Sequence, residues 1–166
     1  MNLIYPPTLI PTIKYKHLLL DTNVFRDAAN NISTYTTFFN DLKSNGVTLT
    51  TIDLVKFELL KGSTNTAKYQ ATEKHIDDIT NKTTLPINPR NCELAYDLIK
   101  LYGIDGSAMH ITDLFLGTIL MQYGENIYLM TRDTSDFLQR IFNLRFVINA
   151  THAKGIFTYG IYQYTK

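Results

Sequence analysis

The sequence predicts an α/β domain, a three-layer α/β/α arrangement around a mostly parallel five-stranded sheet. Three observations lead there. Short runs rich in apolar and β-branched residues alternate with longer stretches of helical spacing. Gly46, Gly62, Gly103 and Gly124 stand where those helical stretches should close. The 166 residues, 45% of them hydrophobic, suit one domain with one sizeable core.

Residues 1–15 read as an extended N-terminal arm, because Pro6, Pro7 and Pro11 oppose helix. Residues 16–166 read as a single domain that includes the C-terminal tail. Tyr15 to Leu20 forms strand one, and Asp21-Thr22-Asn23 turns into a short helix from Val24. Ser33 or Thr34 caps a helix running to about Lys43, and Val47 to Ile52, β-branched and apolar, forms strand two. Asp53 caps the helix that carries Glu58. A polar helix spans about Ala67 to Ile79, and Thr83 to Ile87 is a short strand three. Asn91 caps a helix to about Leu101, and Ser107 caps one to about Tyr123. Ile127 to Thr131 is strand four, Ser135 to Phe142 a short helix and Arg145 to Ile148 strand five. The tail from Gly155 to Tyr164 reads as a terminal strand or a packed extended segment.

Bulk properties exclude several classes. The formal net charge of +1 neither demands nor forbids a nucleic-acid ligand. The single cysteine, Cys92, rules out an internal disulfide and a thiolate metal cage, and it fits a reducing compartment. No apolar run reaches the length of a membrane span, and the N-terminus lacks the basic start of a signal peptide. The expected location is the cytoplasm. No Walker loop is present, and no glycine fingerprint follows strand one.

The chemistry lies in the acids. Asp21 and Asp133 each end an apolar strand, Glu58 sits inside an apolar helix and Asp113 opens another. Carboxylates flanked by so much apolar sequence belong at the rim of a core, where they need a partner or a metal. In open α/β sheets, ligands bind beyond the C-terminal strand ends, where the strand order reverses. Asp21 and Asp133 would meet there if strands one and four are neighbours. An all-carboxylate site suits Mg²⁺ or Mn²⁺ rather than Zn²⁺, and such a cation serves phosphodiester hydrolysis.

These motifs resemble those of PIN-domain ribonucleases. The matching segments are Asp21-Thr22-Asn23-Val24, Glu58 in Phe57-Glu58-Leu59-Leu60, Asp113-Leu114-Phe115-Leu116, and Thr131-Arg132-Asp133-Thr134-Ser135-Asp136-Phe137. They occur in the family's order over about Lys16 to Ala150. The resemblance implies Asp21, Glu58, Asp113 and Asp133 as the catalytic and metal-binding quartet, with Asp136 as an accessory acid. Asn23 and Thr131 would assist beside the acids, and Arg132, with Lys61, would meet substrate phosphate. It further implies an RNA substrate, a VapC-like toxin paired with a small antitoxin, and a homodimer. Gly117, where a good helix former is common, and the aromatic tail depart from the family pattern.

Each acid taken singly has a plainer role: Asp21 as a turn residue, Glu58 as a solvated helix acid, Asp113 as a partner of the helix dipole. Their joint occurrence in order favours a site. His110, one turn before Asp113, reads as a rim residue rather than a ligand. A catalytically inactive PIN-like module that binds RNA or protein is the rival reading. An α/β phosphatase or receiver-like domain is a third, weakened by the missing Asp-x-Asp opening.

Overall fold

A computed structural model describes residues 3–153 and 155–165, with the backbone alone at 107 and 108. In chain order its elements are β1 (Leu3–Ile4), α1 (Leu9–Ile13), β2 (His17–Leu20), α2 (Thr22–Asn30), α3 (Ile32–Ser44), β3 (Thr48–Ile52), α4 (Asp53–Leu60), α5 (Thr66–Thr80), β4 (Thr84–Leu85), α6 (Pro89–Tyr102), α7 (Ile111–Tyr123), β5 (Ile127–Thr131), β6 (Asn143–His152) and β7 (Gly155–Gln163). Short 3-10 turns precede and follow α7.

The α/β class holds, but the expected sheet does not. Among the described residues the sheet has seven strands in the order β1-β6-β7-β5-β2-β3-β4, and it is mixed rather than mostly parallel. β5, β2, β3 and β4 run parallel. β7 lies antiparallel to β5, β6 to β7, and β1 to β6. The reason is the hairpin. Parallel strands need a long crossover, whereas antiparallel ones need only a turn. Gly155, at φ +127°, supplies a conformation there that a side chain would resist. β6 also alternates between exposed and covered residues, which makes it a weaker signal than the fully buried β5.

Further expectations fail locally. Leu3–Ile4 pairs with β6, and Leu9–Ile13 is helical with Leu9 and Ile13 fully buried, so this segment is not an extended arm. Pro11 falls in the first helical turn, where its missing N–H costs nothing. Residues 135–142 form successive turns instead of a helix. Phe137 and Phe142 both bury their rings there, the Tyr102 hydroxyl donates to the Asp136 carbonyl, and Arg140 donates back to the Tyr102 carbonyl. The cap expected at Ser107 falls on a side chain outside the described residues. Helix α7 starts at Ile111, after His110. Asn88, not Asn91, caps α6, in a reciprocal pair with Asn91.

Gly117, the odd residue in α7, has a packing reason. A Cβ there would lie 2.7 Å from Leu98 Cδ2 and 3.1 Å from Phe142 Cζ. The glycine lets α6 and the Phe142 ring close onto α7.

The connections place the site. From β2 the chain moves through α2 and α3 to β3, then through α4 and α5 to β4. It then returns through α6 and α7 to β5, on the other flank of β2. Right-handed crossovers in opposite directions put the two helix sets on opposite faces. The strand order therefore reverses between β2 and β5, the two central strands. No described helix is long and apolar enough to cross a membrane.

Candidate functional site

β2 and β5 pair in register up to Leu20 opposite Met130, so Asp21 emerges level with Thr131. The Asp21 N–H donates to the Met130 carbonyl at 3.2 Å, which pins it to the neighbouring strand. Its backbone is extended, and its side chain caps α2: Oδ1 accepts from the Thr22 N–H at 2.6 Å. Oδ2 accepts from the Thr131 hydroxyl at 2.6 Å and from the Asn23 amide at 2.7 Å.

Asn23 joins two acids. Its amide nitrogen also reaches Asp133 Oδ2 at 3.1 Å, while its Oδ1 accepts the Arg132 N–H at 3.1 Å. Thr131 Oγ1 in turn accepts the Asp133 N–H at 3.0 Å. The loop after β5 is thus fixed against the cap of α2 by side chains that flank Asp21.

Glu58 reaches the same place from α4. Its Oε2 accepts from the Thr22 hydroxyl at 2.6 Å, and its Oε1 accepts from the Thr112 hydroxyl. Thr22 follows Asp21 in sequence and Thr112 precedes Asp113, so the two hydroxyls tie α2, α4 and α7 together around one carboxylate. Asp113 stands in the first turn of α7 and is buried. Asp21, Glu58, Asp113 and Asp133 line one cleft of about 320 Å³, with Arg26, Lys61 and His110 also on its walls.

The electrostatics follow from this crowding. Burial pushes the Asp21 carboxyl up to about 6, opposed by hydrogen bonds from Thr131 and Thr22 and reinforced by the charges of Asp133 and Glu58. Burial, then Asp21, Asp136, Asp133 and Glu58, push Asp113 up to about 8. Burial also acts upward on Glu58, but the Thr112 and Thr22 hydroxyls and the Lys61 and Arg26 charges outweigh it and hold Glu58 below the usual carboxylate range.

The four acids expected to converge are therefore brought together. Asp136 is half-buried beside them: burial and Asp133 raise it, and it acts on Asp113. Arg132 divides its roles. Its backbone supports Asn23, but its guanidinium pairs with Asp27 at 3.2 Å and lies over the Phe157 ring. Lys61 is on the cleft wall. Thr22, Thr112 and Arg26 are contributors that the sequence reading passed over. The signal for the threonines was their adjacency to Asp21 and Asp113.

Among the described residues, no three His, Cys, Asp or Glu side chains are gathered tightly enough to enclose a metal ion unaided. The donors still fit a hard cation. They are all carboxylates with no thiol, and Mg²⁺ is commonly held by one or two carboxylates, several waters and substrate phosphate. The raised Asp113 carboxyl, buried among like charges, is the group that such a cation would relieve.

Comparison of the chain with protein-family models, with curated proteins and with solved structures returned no match.

Proposed function

We propose that this chain is a PIN-like endoribonuclease that hydrolyses RNA phosphodiesters with Mg²⁺ or Mn²⁺, acting in the cytoplasm as the toxin of a toxin–antitoxin pair. The observation that carries the reading is the convergence of Asp21, Glu58, Asp113 and Asp133, from four separate chain segments, in one cleft at the reversal of strand order. A homodimer, and an antitoxin that sets a basic side chain against the acids, belong to the same reading.

Asp21, Asp113 and Asp133 would hold the cation, with Asn23 and Thr131 keeping the first and last of these in place. When bound, the cation supplies an acidified water and opposes charge on a phosphoryl oxygen. Glu58, kept ionised by Thr22, Thr112, Lys61 and Arg26, ligates the cation or accepts a hydrogen bond from the attacking water. Lys61 and Arg26 face the anionic backbone of the substrate from the cleft wall.

Purified protein should cut single-stranded or structured RNA in Mg²⁺ and stop on chelation. Asp21→Asn should lower the rate at least about a hundredfold while the fold persists. Undiminished cleavage by that variant would refute the site. A folded wild type that cuts no RNA would leave a non-catalytic RNA- or protein-binding module.

A further inference from the structure

A second cavity, of about 430 Å³, opens one residue from Asp133. Asp27, Arg132, His152, Ala153 and Phe157 line it, together with Asn30 and Asn31 at the end of α2. The Arg132 guanidinium lies over the Phe157 ring, 4.5 Å from its centroid. The His152 and Phe157 rings stack with centroids 4.1 Å apart at 33°. Phe157 is therefore sandwiched between His152 and Arg132, and the plane left toward solvent is that of the Arg132 guanidinium, whose side chain remains 39% exposed.

The floor beneath is fully specified. Tyr159 O–H donates to Asp27 Oδ2 at 2.6 Å, which uses its only proton. The 2.5 Å contact between the two phenols then takes the Tyr35 proton. The Tyr35 oxygen must accept from His152 Nε2–H at 3.1 Å, and His152 Nδ1 accepts from the Asn31 amide at 2.7 Å. Asn31 also donates to the Asp27 carbonyl at 3.1 Å, which closes the circuit on α2. Every rotor and tautomer in this ring is set, which fixes His152 and Asp27 beneath the cavity.

Charge decides what the wall takes. The Arg132 guanidinium is already neutralised by the buried Asp27 carboxylate, at 3.2 and 3.3 Å. A phosphate would compete with Asp27 for it and would meet that carboxylate's charge. A neutral aromatic ring meets no such cost, because guanidinium and aromatic planes both stack on bases. We propose that this cavity is a nucleobase subsite: it takes the base of a nucleotide flanking the scissile phosphodiester of single-stranded RNA, stacked on the outer face of the Arg132 guanidinium, which the Phe157 ring backs. The position of the base beside a scissile bond rests on the ribonuclease reading above. The preference for a base does not.

The test is binding in Ca²⁺, by fluorescence anisotropy, of a labelled single-stranded oligoribonucleotide and of the same strand made abasic. Wild type should favour the base-bearing strand roughly tenfold, the scale of one stacked base. Arg132→Lys, which keeps the charge that pairs with Asp27 but loses the plane, should erase that preference and leave abasic affinity unchanged. Phe157→Leu, which keeps an apolar side chain on β7 but removes the ring that backs Arg132, should reduce it, and melting curves of both variants report folding. Equal affinity of wild type for the two strands, or binding of neither, overturns the proposal, as does a full preference retained by a folded Arg132→Lys. Selective binding without cleavage would break the nuclease reading and keep this one. Cleavage with equal binding would break this one alone.

Discussion

Asp27 and Asp113 are almost equally buried, at 6% and 7% exposure, yet their surroundings are opposite. Asp27 has a guanidinium at 3.2 Å and a phenol at 2.6 Å, so its charge is answered within the protein. Asp113 faces Asp21, Asp133, Asp136 and Glu58, and its carboxyl is pushed up to about 8. A buried acid with its own partners belongs to the architecture. A buried acid surrounded by other acids raises the energy of the fold, and a cation from solution would lower it. Under the proposed function, the contrast separates a carboxylate that serves the architecture from one that a cation would serve.

The sharpest way to break the contrast is to remove each acid in turn. Asp27→Ala leaves the Tyr159 hydroxyl and the inner side of Arg132 without their acceptor, and should cost about 2–3 kcal/mol in urea unfolding. Asp113→Asn should instead raise the melting temperature of metal-free protein at neutral pH while activity is lost. If both substitutions destabilise alike, Asp113 is structural and the distinction fails.

The pH dependence sharpens it. Asp113 ionises near 3.8 when unfolded and about 8 when folded, and Asp21 near 3.8 and about 6. Between those values the folded chain holds more protons than the unfolded one, so stability falls as pH rises. Metal-free protein should therefore melt at a lower temperature at pH 8 than at pH 5, mostly through Asp113. Asp113→Asn should flatten that slope. Mg²⁺ at a hundredfold excess over its dissociation constant should restore about 2.7 kcal/mol to the wild type at pH 8. A slope unchanged by Asp113→Asn would disconnect the acid from the crowding that defines the cleft.

The parallel half of the molecule was legible in the sequence; in the antiparallel half Arg145 to Ile148 was legible as a strand inside β6 and Gly155 to Tyr164 as a strand or packed segment, but their pairing was not. β2 and β5 are short, largely apolar and closely followed by acids, so their type and their role at the switch point could be read directly. β6 alternates between exposed and covered residues, and the pairing of the hairpin depends on the turn at Gly155 rather than on any run of β-branched residues. The acids were legible because each interrupts an apolar segment. The Asp27 circuit was overlooked although Asn23, Asp27 and Asn31 repeat every four residues from the first turn of α2 to its C-cap, which puts three polar side chains on one stripe. That stripe was the available signal. Its partners Tyr159 and His152 come from the hairpin, whose position no local pattern fixed.

The smallest effect tests the third kind of acid, one held ionised by neutral hydroxyls. Glu58 stays below the usual carboxylate range because Thr112 and Thr22 bond to its two oxygens, with Lys61 and Arg26 near. Thr112→Val keeps the branched shape at the start of α7 and removes one donor. Glu58 is half-buried on a cleft wall, so water can replace the lost hydroxyl and stability should fall by only about 1 kcal/mol. The Glu58 carboxyl should titrate higher. If Glu58 takes part in the reaction, the acidic limb of the pH–rate profile should move upward with it, and kcat should fall a few-fold at low pH but hardly at pH 8. A uniform fall at every pH would assign Thr112 to the packing of α7 and remove Glu58 from the chemistry.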